Sequence, residues 1–125
     1  MPEIPTYELL KEGNDRLLLN TGSLIKEILY RRLNGEDSDR LAYIFHQELA
    51  RQITASCVKI REQSGCNKAA LSGGVFQNRL LLELVDDGLT EMGFKVLKHS
   101  LIPPNDGGIA LGQAVYGMAY VQRYR

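Results

Sequence analysis

Two glycine pairs constrain this chain more than any other feature in it. The first lies in LSGGVFQNRLLLEL, Leu71 to Leu84, and the second in PPNDGGIALGQA, Pro103 to Ala114. Each pair follows or adjoins a short strand candidate and opens onto a segment whose apolar residues recur at helical spacing. That order predicts two strand-to-helix turns. In a parallel α/β arrangement both turns emerge at the same end of the sheet, where ligands of such sheets collect. The expected fold class is therefore α/β, dominated by helix.

The remaining elements are read from spacing. Lys68 to Leu71 is the strand before the first glycine pair. Asn78 is placed to cap a helix over Arg79 to Met92, which Gly93 closes in a left-handed turn. Phe94 to Leu97 is the next strand. Pro103 and Pro104 hold the chain extended, and a final helix runs from about Gly107 to the terminus, lined by Ile109, Leu111, Ala114, Val115, Met118 and Val121. Upstream, Leu41, Phe45, Leu49, Ile53, Cys57 and Ile60 form the apolar stripe of a long helix, capped by Asp37 or Ser38 and stopped at Ser64 and Gly65. Thr21, Gly22 and Ser23 supply cap chemistry for an earlier helix that ends at Gly35, and Leu17 to Leu19 suits an edge strand. Residues 1–16, with two prolines, a glycine and scattered charge, read as an irregular lead-in to one domain over 17–125.

Composition excludes several classes. Lys plus Arg and Asp plus Glu both total 15 among 125 residues, so no overall field attracts nucleic acid or an anionic membrane. Arg123, Tyr124 and Arg125 make too short a basic cluster for a nucleic-acid footprint and read as a solvated tail. No apolar run approaches bilayer length, and the first fourteen residues lack the pattern of a signal peptide. A soluble, cytoplasmic protein is the expectation. Cys57 and Cys66 have neither zinc-site spacing nor disulfide-scaffold density, and Cys57 falls on the apolar side of its helix as a small hydrophobe.

Chemistry is concentrated at the glycine pairs. Gly73 and Gly74 permit a positive φ or the close approach of a ligand to the backbone, and Gln77 and Asn78 add side-chain donors and acceptors. A plain turn capped by Asn78 is the structural alternative. At the second pair, Asp106 is placed to hold a divalent cation, with Gly107 and Gly108 leaving room for phosphates, or else to cap the last helix. The two pairs together favour a shared nucleotide and metal site. His46 lies beside the stripe of the long helix and suits a partly buried structural role. His99 ends a strand near the ligand-bearing edge.

LSGGVFQNRLL with PPNDGGIALGQA, and IFHQELA at Ile44 to Ala50, resembles the C-terminal end of the HypF-type hydrogenase maturation carbamoyltransferases, whose last domain is similar to enzymes of tRNA threonylcarbamoyladenosine synthesis. The resemblance runs from about Leu17 to the terminus. It implies half of an actin-like ATPase domain of ribonuclease-H-like type, with a short sheet flanked by helices. It also implies ATP and carbamoyl phosphate as substrates, a carbamoyl adenylate, and transfer of the carbamoyl group to the C-terminal cysteine of a HypE-type acceptor. Carried over by position, Gly73, Gly74, Gln77 and Asn78 line the nucleotide, Asp106 ligates the metal, and Gly107 and Gly108 approach its phosphates.

Members of that family take two further metal ligands from a His-x-x-x-His pair, and His46 and His99 are not spaced that way. The resemblance therefore implies a C-terminal portion that is inactive alone, with exposed apolar surface and a tendency to self-associate. A tRNA threonylcarbamoyl transferase or O-carbamoyltransferase portion, or a non-catalytic interaction module of the same fold, are the alternatives.

Overall fold

Apolar spacing of three and four residues packs the long helix Ser38–Ser64 against the helix Arg79–Glu91. The computed structural model describes residues 6–13 and 16–124. In chain order these form β1 (Leu10–Glu12), β2 (Arg16–Leu18), α1 (Thr21–Leu33), α2 (Ser38–Ser64), β3 (Lys68–Leu71), α3 (Arg79–Glu91), β4 (Lys95–Lys98) and α4 (Ile109–Tyr124). Two 3₁₀ turns, Gly74–Gln77 and Asp106–Gly108, lead into α3 and α4. Strands β3 and β4 pair in parallel with Leu71 opposite Lys98, and α3 is the crossover between them. The order is helix-dominated α/β, as the glycine pairs predict.

The core forms where α2, α3 and the parallel strands meet. Ala50, Leu71, Leu81, Val85, Leu89 and Phe94 are buried together, and full burial of each larger apolar side chain contributes roughly 1.5 to 3 kcal/mol. Leu49, Ile53 and Cys57 of the α2 stripe pack against this cluster half-buried, whereas Ile60 is exposed. Burial pushes the Cys57 thiol up from its ordinary value, which keeps it protonated and unreactive. Arg61 closes one end of the core. Its Nη1 donates to the Met92 carbonyl at 2.7 Å, and its guanidinium lies 4.3 Å from the centre of the Phe94 ring.

Apolar spacing alone does not describe α2. Its fully buried face includes Glu48 and Gln52. Gln52 Oε1 accepts from the Asn20 amide at 2.5 Å, and its Nε2 donates to the Asn20 carbonyl at 3.3 Å. Glu48 Oε1 accepts from the Tyr7 amide at 2.9 Å and from Arg51 Nη2 at 2.8 Å, while Oε2 accepts from Arg51 Nε at 2.8 Å. The two side chains thus satisfy backbone groups of segments that lie far away in sequence.

Several expectations are corrected. Part of the lead-in is ordered, since β1 pairs antiparallel with β2 and Tyr7 is held by α2. Residues 1–5, 14 and 15 of that lead-in, and Arg125 of the tail, lie outside the described residues. Asn20 caps α1 through its Oδ1, rather than Thr21 to Ser23. The apolar residues proposed to line the last helix stay exposed, and no residue of α4 is buried. Among the described residues, no helix is long and apolar enough to cross a membrane.

Candidate functional site

Parallel pairing brings the ends of β3 and β4 together, so the segments that follow them share one sheet edge. Ser72, Gly73, His99, Asn105, Asp106 and Gly108 all line a single cleft of about 570 Å³, whose other wall is apolar and includes Ile102, Leu111 and Val115. The two glycine motifs therefore border one cleft. Gln77 instead lines an adjoining cavity of about 370 Å³ with Leu71, Phe76 and Leu82. Gly74, Asn78 and Gly107 line neither cavity.

The glycines serve different ends. Gly73 has φ 99° and ψ 162°, a conformation that L residues adopt only under strain. Gly74 has an ordinary φ, and a Cβ built on it meets nothing within 4 Å. The surrounding chain thus gives no reason for glycine at 74. At Gly108 a Cβ would stand 3.1 Å from the Pro103 carbonyl oxygen, and at Gly107 it would stand 3.0 Å from Asn105 Oδ1. The second pair is small because its own turn is tight.

Capping decides what the polar side chains have left to offer. Asn78 Oδ1 accepts from the Leu81 amide at 3.1 Å, and its Nδ2 donates to His46 Nε2 at 2.8 Å. His46 Nδ1 in turn donates to the Ala42 carbonyl at 2.6 Å, so the ring joins α2 to the start of α3. Asn78 is thereby committed to two protein partners. At the second turn Asn105, not Asp106, is the cap, accepting from the Gly107 amide at 2.9 Å. Asp106 is exposed, and among the described residues its carboxylate has no hydrogen-bond or ion-pair partner.

A divalent ion needs more than one carboxylate. Among the described residues no three His, Cys, Asp or Glu side chains are grouped to hold a metal, so the described donors do not by themselves fit a resident ion.

Ser72 and His99 were not among the residues that the glycine motifs nominate by resemblance. Each lies one position beyond the last paired residues, Leu71 and Lys98, and Ser72 Oγ and His99 Nε2 are 2.8 Å apart. The available signal was the position of both at strand ends.

Residues 3–113 match the sequence profile of the family described as carbamoyltransferase, Kae1-like domain, second subdomain. The chain is 32% identical over 104 residues to a probable carbamoyltransferase HypF of Methanocaldococcus jannaschii, covering 83% of this chain and 13% of the relative. It is 38% identical over 88 residues to the carbamoyltransferase HypF of Rhodobacter capsulatus, covering 70% of this chain and 12% of the relative. Among solved structures, full-length HypF in its phosphate- and nucleotide-bound form superposes with a TM-score of 0.81 at 34% identity, over 92% of this chain and 15% of that one. HypF of T. kodakarensis superposes at 0.74 and 27% identity, over 97% and 15%. The chain thus spans about an eighth of the length of these curated relatives.

Proposed function

Because this chain belongs to the HypF carbamoyltransferase family, as the second subdomain of a Kae1-like domain, we propose that its cleft is one wall of a nucleotide site serving ATP-dependent carbamoyl transfer. The observation that carries the reading is the single cleft shared by Gly73 and Asp106. Its apolar side and its polar side suit an amphipathic ligand such as a nucleotide. Gly73 and Gly74 would let the ligand lie on the backbone, with Gly107 and Gly108 keeping the facing turn compact. Asp106 would offer one carboxylate to a divalent ion otherwise held by ligand phosphates, water and groups from outside this chain. Asn78 would shape the site through the α3 cap.

In the same reading, carbamoyl phosphate is the carbamoyl donor, a HypE-type protein the acceptor, and hydrogenase maturation in the cytoplasm the setting. Transition-state stabilisation of phosphoryl and acyl chemistry requires charge clamped from several sides, and one exposed carboxylate does not supply that. The isolated chain is therefore expected to bind ATP weakly in the presence of magnesium by calorimetry, and to show no carbamoyl-phosphate-dependent ATP turnover. Turnover at ordinary enzymatic rates would overturn the one-wall reading. Undetectable binding of any nucleotide at millimolar concentration would overturn the nucleotide site.

A further inference from the structure

Two cavities meet at one hydrogen-bonded pair. The cleft with Gly73 and Asp106 and the cavity with Gln77 share His99, Ile102, Pro103 and Pro104. The segment from 99 to 104 is thus a sill between them, and the contact of His99 Nε2 with Ser72 Oγ, at 2.8 Å, stands on it. Both side chains are exposed, so their pairing contributes little to packing and water replaces it at small cost.

We propose that Ser72 and His99 recognise a ribose hydroxyl of the bound nucleotide and make the site selective for ribonucleotides. This rests on the nucleotide reading above. A ligand occupying both cavities must cross the sill. The Gln77 cavity, with Leu71, Phe76 and Leu82 in its wall, suits the flat base, and the Asp106 cleft faces the phosphate end. The part of a nucleotide that joins base to phosphates is the sugar.

The chemistry of the pair fits a neutral hydroxyl better than an anion. A hydroxyl both donates and accepts, and so do a serine hydroxyl and a neutral imidazole. The Ser72 contact engages one ring nitrogen of His99, and among the described residues no hydrogen bond occupies the other. Ser72 Oγ likewise retains hydrogen-bonding capacity beyond the single contact. Among the described residues no Lys or Arg lines the cleft, while the Asp106 carboxylate does. Lys98 of the adjoining cavity is already paired with Asp86 at 2.5 Å, so a phosphate seated directly on Ser72 and His99 would meet negative charge with little compensation. A site built to hydrogen-bond a hydroxyl discriminates against the analogue that lacks it, because its own polar groups are then left unpaired. For an exposed pair the expected discrimination is about tenfold, the equivalent of one net hydrogen bond.

The test is calorimetric titration of the full chain with ATP, 2′-deoxyATP and 3′-deoxyATP in magnesium, repeated on Ser72→Ala and His99→Gln. Wild type is expected to bind ATP about tenfold more tightly than at least one deoxy analogue. In each variant that preference falls to within about threefold, with affinity for the poorer analogue unchanged and thermal melting unmoved. A purely structural role would weaken all three nucleotides alike and lower the melting temperature, which would overturn the proposal. Equal binding of all three by wild type would overturn it while leaving the nucleotide site intact. Binding of none would overturn both.

Discussion

Gly73 and Gly74 are neighbours that answer to different physical demands. Gly73 sits at φ 99°, so Gly73→Ala forces a side chain into a disfavoured backbone region and is expected to cost about 1 to 2 kcal/mol of stability, read as a lower denaturation midpoint. Gly74 has open space above it and an ordinary φ. Gly74→Ala is therefore expected to leave the midpoint within about 0.5 kcal/mol of wild type. Because the proposed ligand extends from the cleft past Gly73 onto this backbone, the same change is expected to weaken ATP binding about tenfold by calorimetry, the equivalent of roughly 1.4 kcal/mol. Unchanged ATP affinity in Gly74→Ala would remove this residue from the ligand surface. The letters GG in the sequence cannot separate these two roles, because both are the same absence of a side chain. Which one applies depends on backbone angles and on the atoms that surround each position.

At the scale of elements, capping and a buried polar face decide how the helices are held. Asn78 satisfies the start of α3 and reaches His46 on α2 at 2.8 Å. Asn78→Ala is expected to cost about 1 to 2 kcal/mol through the cap alone, and His46→Ala less, since it leaves the cap in place. The cap was legible at Asn78 from its place before an apolar run, whereas its second partner was not. On α2, burial alone would raise the Glu48 carboxyl, but hydrogen bonds from Arg51, the Tyr7 amide and Gln52, with the charge of Arg51, hold it below the ordinary glutamate value. A carboxyl lowered by folding stabilises the protein at pH above its unfolded value, and that contribution disappears as pH falls through the folded value. Urea midpoints measured from pH 7 downward should therefore drop across the acid limb, and Glu48→Gln should flatten that drop while lowering stability at neutral pH. The buried face of α2 was misread because a period of 3.6 identifies a face and assumes that it is apolar. Glu48 and Gln52 occupy it because distant backbone groups of Tyr7 and Asn20 need partners.

For the whole molecule, the unburied apolar surface is the main consequence. Ile25, Leu29 and Leu33 repeat along one side of α1, and Leu33 is 79% exposed. Tyr116, Met118, Tyr120 and Val121 of α4 are exposed as well. Contiguous apolar surface of this kind drives association. Light scattering is expected to show concentration-dependent self-association that Met118→Glu with Val121→Glu reduces. A concentration-independent monomer in wild type would count against this expectation. Neither substitution touches the cleft.

Local chemistry, read from sequence, was enough for β3 and, to within one residue at their ends, for α3 and β4, which follow from strand-forming runs, an asparagine cap and a left-handed glycine. It was also enough to bring the two turns to one sheet edge, because parallel strands necessarily end on the same side. Only the tertiary structure decided that Asn105 rather than Asp106 is the cap, that Asn78 is occupied by His46, and that Ser72 meets His99. The first outcome depends on the backbone path of the turn itself, and the other two on distances between residues far apart along the chain. Spacing within a segment carries no information about which distant group arrives to complete a hydrogen bond.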